Sequence, residues 1–337
     1  TDDPTISAFA DTSMIRRLVV NLVANAIRVT ADGESVLIRV QPVRNGEALR
    51  WTIVDQGPGI TDSDLQEISS RQVSLGGGEG LGLTICRQLS ALHFSSLRIE
   101  SRVGTGTAVS FETPAAGPSS VAECYARWRL NLLSPRPARS ATTERSIKLP
   151  RRIRIDNPTS IVELDCDGSE PRFDDQITTG CVSLGAAIPK QAAEDFDGLL
   201  QNKLRMFDLV YRIDSRRWIW VFDANITEAQ QRIEDLEDQA QLRIDNIRMT
   251  WTDPQMIPLE DRRTAGRLSD LFVRQTLASA KTRSADQNEV RLGTAPIANS
   301  PIAADRLDQE IRRLTTRLGV QSKHFQDQAA RLRPKNA

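Results

Sequence analysis

The sequence predicts two successive domains that mix helices and strands: an α/β domain over residues 1–114 and an α+β domain over residues 148–280. Three observations carry this. At 337 residues the chain is long enough for two ordinary domains. Amphipathic helical stretches alternate with short β-branched runs in both halves. Between them lie a small-residue and Pro stretch at 114–120 and a Pro-, Arg- and Ser-rich stretch at 134–143, which read as a domain end and a linker.

Composition bounds the function classes. Hydrophobic residues make up 39% and charged residues 26%, the balance of an ordinary soluble globular protein. Lys plus Arg and Asp plus Glu both number 44, so no bulk charge points to nucleic acid or anionic lipid. No run approaches the ~18 apolar residues that span a bilayer, and no signal peptide is visible. The expectation is a cytoplasmic chain, with any membrane tether left to the rest of a longer protein. Cys86, Cys124, Cys166 and Cys181 are scattered, with no Cys-x-x-Cys pair and only two His. That predicts neither a zinc site nor a disulfide framework, and suits a reducing compartment. Thr1 in place of Met suggests a fragment.

In order, a short strand is expected at 5–9, and then Asp11, Thr12 or Ser13 capping a helix over 14–29. At ~100° per residue, Ile15, Leu18, Val19, Leu22, Val23, Ala26 and Ile27 form a broad apolar arc. Arg17, Asn21, Asn25 and Arg28 share a narrow sector on the other side. Plain solvation fits such a face, but Asn is a weak helix former. An Asn carbonyl oxygen also suits a hard cation such as Mg2+, and an Arg one turn on suits phosphate.

Strands at 35–42 and 48–54 joined by Asn45-Gly46 read as a hairpin. The second runs through Trp51-Thr-Ile-Val into Asp55-Gln-Gly57-Pro-Gly59. A carboxylate fixed at a strand end can accept a hydrogen bond from an amine, and the two glycines let the backbone turn beside a flat ligand. An ordinary strand followed by a β-turn fits the same residues. A short helix is expected at 62–68. A Gly-rich stretch at 76–83 then opens a helix over 84–93, offering free N–H groups to phosphate, with a plain flexible linker as the alternative. A hairpin of 97–102 and 107–113 closes the domain around Val103-Gly-Thr-Gly106.

Together these residues make 11–113 resemble the ATP-binding catalytic domain of bacterial sensor histidine kinases, within the wider gyrase/Hsp90/histidine-kinase/MutL superfamily. Four motifs stand in the family's order: an Asn box from Asn21 through Asn25 and Arg28 to Thr30, a first Gly box Asp55-Gln-Gly57-Pro-Gly59, a second Gly78-Glu-Gly80-Leu81-Gly82-Leu83, and a last Gly104-Thr-Gly106-Thr107. The resemblance implies a two-layer α/β sandwich, the histidine-kinase-type ATP-binding fold, with a mixed sheet, helices on one face and ATP between helices and lid. It implies ATP and Mg2+ as cofactors. Asn21 and Asn25 would form the catalytic pair, with Asn25 holding Mg2+ and Asn21 supporting the phosphate end. Arg28, where the family usually has Lys, would contact phosphate. Asp55 would accept from the adenine amine, with Gly57 and Gly59 admitting the base and Thr107 near it. Gly78, Gly80, Leu81 and Gly82 would shape the lid end near the phosphates.

The resemblance also sorts subclasses. Hydrolysing branches and anti-sigma serine kinases carry Glu four residues before the Mg2+-binding Asn, as a general base. Asn21 stands there and cannot take a proton, which favours transfer to an imidazole, a nucleophile needing little activation. There are departures. Ser69 and Gln72 replace the F-box aromatics, the stretch to Gly78 is short, and Val29 replaces the usual aromatic after the Asn-box basic residue. These leave the Mg2+ and adenine contacts intact but bear on packing and docking. The resemblance implies a phosphoacceptor histidine on a helical hairpin before this domain. His93, at the end of the second Gly-box helix, reads as structural, and His324 lacks the acidic neighbour of an acceptor.

Residues 115–147 read as a linker with a short helix at 121–133 anchored by Tyr125, Trp128 and Leu132. Strands are expected at 153–155, 160–164, 181–188, 209–213, 218–222 and 247–251, and helices at 192–207 and 227–244. The order is βαββαβ, a ferredoxin-like pattern. It is similar, loosely, to a degenerate diguanylate cyclase (GGDEF-type) domain. That family's signature turn would fall at Asp214-Ser-Arg-Arg-Trp218, where its paired Gly and acidic residues are absent, so no cyclase activity is expected. Trp218 and Trp220 alternate on one strand face and read as core. Residues 281–302 read as flexible, and 303–337 as a C-terminal helix.

Two functional readings stay open. One is the ATP-binding catalytic part of a two-component sensor histidine kinase, passing the γ-phosphate to a histidine upstream or in trans and on to a response regulator, within a full-length homodimer. The other is a weak or inactive pseudokinase acting as a regulatory module. Neither calls on nucleic acid or a membrane segment.

Overall fold

The apolar arc of the first helix forms α1 (Thr12–Val29), burying Ile15, Leu18, Leu22 and Ala26. Asp11 caps it, its carboxylate accepting from the Met14 N–H. The molecule is known from a computed structural model that describes residues 7–70, 81–133, 160–164, 175–205, 207–260 and 263–286. Residues up to Ser284 make one compact unit.

Strands β1 (Leu37–Val43) and β2 (Ala48–Asp55) form the expected hairpin, turning at Asn45 in the left-handed region (φ 56°). Next come α2 (Asp62–Ser70), α3 (Leu81–Ala91), β3 (Leu97–Arg102) and β4 (Gly106–Pro114). A fifth strand, β5 (Ser160–Leu164), lies beside β3, giving the order β1-β2-β4-β3-β5. All three helices pack on one face, with Leu18, Leu65, Cys86, Ile53, Phe111, Leu97, Ile99 and Leu164 in one core cluster.

Two expectations are corrected here. Every described strand pair of this sheet is antiparallel, not mixed, because β1–β2 and β3–β4 are hairpins and β5 enters against β3. Residues 160–164 also belong to this first sheet, not the second. Leu97 and Ile99 on β3 need cover, and Val162 and Leu164 alternate onto the same face to supply it. The opposite face is polar: Arg50 and Arg44 pair with Glu112, and Arg98 pairs with Glu100 and Glu163.

Residues expected as a linker include a 16-residue helix, α4 (Pro118–Leu133). It is a core element. Tyr125 and Trp128 are buried, and the Tyr125 hydroxyl donates to the Phe207 carbonyl at 2.7 Å.

The second domain runs β6 (Gln176–Leu184), α5 (Lys190–Asn202), β7 (Leu209–Asp214), β8 (Arg217–Phe222), α6 (Ile226–Arg243), β9 (Met249–Trp251), β10 (Gln255–Pro258) and α7 (Arg263–Asp286). Its sheet order β10-β6-β8-β7, antiparallel throughout, is the ferredoxin-like arrangement that the βαββαβ order predicts. Both sheet faces are covered. Trp218, Trp220 and Phe222 point to α5 and α6, where Phe196, Leu199 and Leu236 meet them. Ile219 and Val221 point to α4 and α7, against Tyr125, Leu268 and Phe272. Both tryptophans are core, as their alternation suggested. Helix α7 had no counterpart in the sequence reading, and it carries order through Asp286, into the stretch expected to be flexible. The strand expected at 153–155 and the helix at 303–337 lie outside the described residues.

The two domains meet through α4. Phe94, just after α3, packs edge-on against Tyr125 (5.3 Å between ring centres) and beside Trp128. Phe9, bridged to the end of β4, packs on Tyr211 of β7.

Candidate functional site

The site forms where β2 and β4 end side by side, because Asp55 and Thr107 are register partners. Asp55 is 6% exposed. Its Oδ1 accepts from the Gly57 N–H at 2.9 Å and the Thr107 N–H at 3.1 Å. Its Oδ2 accepts no hydrogen bond among the described residues. Burial pushes the Asp55 carboxyl above the ordinary carboxylate range, and the two N–H bonds offset only part of that. The site therefore holds a carboxylate with one oxygen fixed by backbone, and its other oxygen could accept from an amine-bearing ligand.

Two turns frame this carboxylate. Gly59 has φ +74°, and a Cβ there would collide with the Arg102 carbonyl oxygen. Gly106 has φ +131°, and a Cβ there would collide with the carbonyl oxygen of Asp55 itself. The turns are tied together by the Gly104 N–H donating to the Pro58 carbonyl at 2.7 Å. Val29, at the end of α1, closes over Gly57, where a Cβ would lie 2.9 Å from its Cγ2 methyl.

Ser101 was not singled out from the sequence, where a lone Ser ending a strand gives no signal. It is fully buried and joins the two turns. Its Oγ accepts from the Ile60 N–H at 2.8 Å, lies 3.0 Å from the Thr107 hydroxyl, and donates to the Gly106 carbonyl at 3.1 Å. Gln56 was also missed. Its Oε1 accepts from the Ser35 N–H, pinning the segment between α1 and β1.

The polar sector of α1 is partly as expected. Asn21 and Asn25 lie one turn apart and half-buried, and Arg28 is exposed in the last turn. The Cys86 thiol of α3 is fully buried and pushed up to about 12 by desolvation, and its Sγ donates to the Leu18 carbonyl of α1 at 4.0 Å. Leu81 and Gly82 stand in the first turn of α3. Gly78 and Gly80 lie outside the described residues, as does Gln72. His93 is structural, as expected. Its Nδ1 bonds the Leu89 carbonyl at 2.7 Å and its Nε2 accepts from the Asp11 N–H at 3.3 Å, joining the end of α3 to the cap of α1. Burial lowers its pKa below the ordinary His value. His324 lies outside the described residues.

In the second domain the hairpin turn carries one carboxylate, Asp214. It is engaged by Ser279 of α7 at 2.6 Å, by the Arg216 N–H at 2.8 Å and by Arg217. Among the described residues no group of three or more His, Cys, Asp or Glu side chains could hold a metal ion, and no helix is long and apolar enough to cross a membrane.

Residues 10–117 match the family described as histidine kinase-, DNA gyrase B-, and HSP90-like ATPase. The adaptive-response sensory kinase SasA of Synechococcus sp. (strain JA-2-3B'a(2-13)) is 34% identical over 113 residues, covering 32% of this chain and 30% of the kinase. The histidine protein kinase DivJ of Caulobacter vibrioides is 34% identical over 111 residues, 31% of this chain and 18% of that protein. Sporulation kinase B of Bacillus subtilis is 30% identical over 117 residues, 34% of this chain and 27% of that kinase. The chain thus spans less than a third of the length of each of these relatives.

Proposed function

Residues 10–117 are a domain of the histidine kinase-, DNA gyrase B- and HSP90-like ATPase family, and from that premise we propose that they bind ATP as the catalytic part of a sensor histidine kinase. The γ-phosphate would pass to a histidine outside these residues, upstream or in trans, and from there to a response regulator, in a homodimer of the full-length protein. The observation that carries the reading is Asp55: a buried carboxylate, one oxygen held by two backbone N–H groups and the other able to accept from a ligand, beside glycine turns packed too closely to admit a Cβ. The adenine amine is the donor that completes it.

The remaining roles follow from position. Arg28 and the N–H groups that open α3 at Leu81 and Gly82 would meet the phosphates. Gly57, Gly59 and Thr107 would line the base. Asn25 offers one amide oxygen from the polar face of α1, a hard donor of the kind Mg2+ takes. With one such donor, the nucleotide's own phosphates would supply most of the ion's ligands, and the ion would neutralise charge on the transferring group. Asn21 carries no proton-accepting group, so this chain would position rather than deprotonate.

A second reading is favoured by Val29. An aliphatic side chain closes over Gly57 where the resemblance implies an aromatic, which suits a pseudokinase that holds nucleotide and signals through the second domain. That domain is read as a regulatory module without cyclase activity. The test is phosphotransfer from γ-labelled ATP to a histidine hairpin of the full-length protein. Asn25→Ala should lower Mg-ATP affinity about tenfold or more, the loss of one ion ligand with its support, and leave metal-free nucleotide binding little changed. Nucleotide binding without transfer leaves the pseudokinase. No binding at millimolar Mg-ATP would sink both readings.

A further inference from the structure

The ATP-binding layer is completed by a strand from outside the family match. That match ends at residue 117, and β5 begins at Ser160. The strand pairs with β3 from Leu97–Leu164 through Ser101–Ser160. Leu164 is 2% exposed and shares a core cluster with Leu18, Leu65, Leu97 and Ile99, while Val162 packs against that cluster. On the polar face Glu163 reaches Arg98 at 3.5 Å.

Helix α2 packs on β5 and buries Leu65 in that cluster. Thr61 joins α2 to the nucleotide turn, its carbonyl accepting from the Leu65 N–H and its hydroxyl from the Asp64 N–H. One residue earlier, the Ile60 N–H is held by Ser101, which sits at the far end of β3 and pairs with Ser160 of β5. The strand therefore supports the Asp55–Ile60 turn from two sides, through α2 and through β3.

We propose that β5 is a strap, from beyond the family match, that governs nucleotide binding. Seated, it holds α2 and the turn after Asp55 in the arrangement that admits the base. Drawn off, it leaves the β3 edge unpaired and Leu65, Leu97 and Ile99 uncovered, and nucleotide affinity falls. The nucleotide half of this inference rests on the proposed ATP-binding function; the support of α2 does not.

The test uses the full chain with Leu164→Asp, the milder Val162→Ala and the conservative Leu164→Ile. Amide hydrogen exchange of α2 without nucleotide is measured beside Mg-ATP affinity. With Leu164→Asp, α2 exchange should rise and affinity fall, each by about tenfold or more, while protection of β6 and β8 holds. Val162→Ala should give a smaller change in the same direction, and Leu164→Ile should stay close to the wild type. Unchanged α2 exchange, or faster exchange with unchanged affinity, would overturn the proposal. If Leu164→Asp does not fold, wild-type values for Val162→Ala overturn it instead. If no form of the protein binds ATP, the proposed function fails, and α2 exchange still decides whether β5 supports the helix.

Discussion

Replacing Asp55 by Asn separates the ligand's share of this residue from the fold's. The amide oxygen of Asn can keep both N–H bonds now made to Oδ1, from Gly57 at 2.9 Å and Thr107 at 3.1 Å. The atom that changes is Oδ2, which becomes a donor facing the ligand's own amine. Losing a hydrogen bond to a charged group is worth ~1.5–3 kcal/mol, so ATP affinity should fall by ~10- to 150-fold. Stability should move the other way. Burial raises the folded-state pKa of Asp55 above its unfolded value. Its contribution is present below the unfolded pKa and lost as pH rises through the folded pKa. Asp55→Asn should thus melt no lower than the wild type at pH 7, and the two should converge as pH falls toward the ordinary Asp value. The assay is calorimetric titration with Mg-ATP and Mg-ITP beside thermal unfolding from pH 4 to 7. Inosine lacks the amine, so the wild type should bind ITP weakly and the variant should discriminate little between the two. Unaltered ATP affinity, or a lower melting temperature in step with the affinity, would refute the reasoning.

Two further outcomes follow from the same geometry. Gly59→Ala forces a Cβ into the Arg102 carbonyl at φ +74°; strain of ~1–3 kcal/mol or more should lower the urea midpoint and impair nucleotide binding together. His93 has a folded pKa held below its unfolded value by burial, so its contribution is present above the unfolded value of about 6.5 and lost as pH falls through the lower folded pKa. The denaturation midpoint of the wild type should therefore drop more steeply between pH 7 and 5 than that of His93→Gln; equal slopes would count against the assignment.

Much of this site was legible because its chemistry is local. Asn21, Asn25 and Arg28 share a face by helical period alone, and Asp55 meets its glycines within a few residues. The 3.6 and 2.0 periodicities placed α1, the hairpins and the ferredoxin-like order without knowledge of contacts. Ser101 and Gln56 were illegible because their importance lies in partners 41 and 21 residues away. Helix α7 escaped because its apolar stripe, Leu268, Leu271 and Phe272, is thin among Ser, Thr and Arg, and only packing on the second sheet defines it.

The sequence by itself determined that Asn21, Asn25 and Arg28 share a helix face and that Asp55 is followed at once by its glycines, and the resemblance carried by these motifs is what implies an ATP site. Tertiary structure alone decided how the domains join. α4 became core rather than linker, because Tyr125 and Trp128 found a sheet face and Phe94 to cover. β5 joined the first sheet, because an unpaired β3 edge with Leu97 and Ile99 beneath it is costly to leave in water. Period 2 makes a strand of 160–164 anywhere; only the unsatisfied edge in space says which sheet it joins.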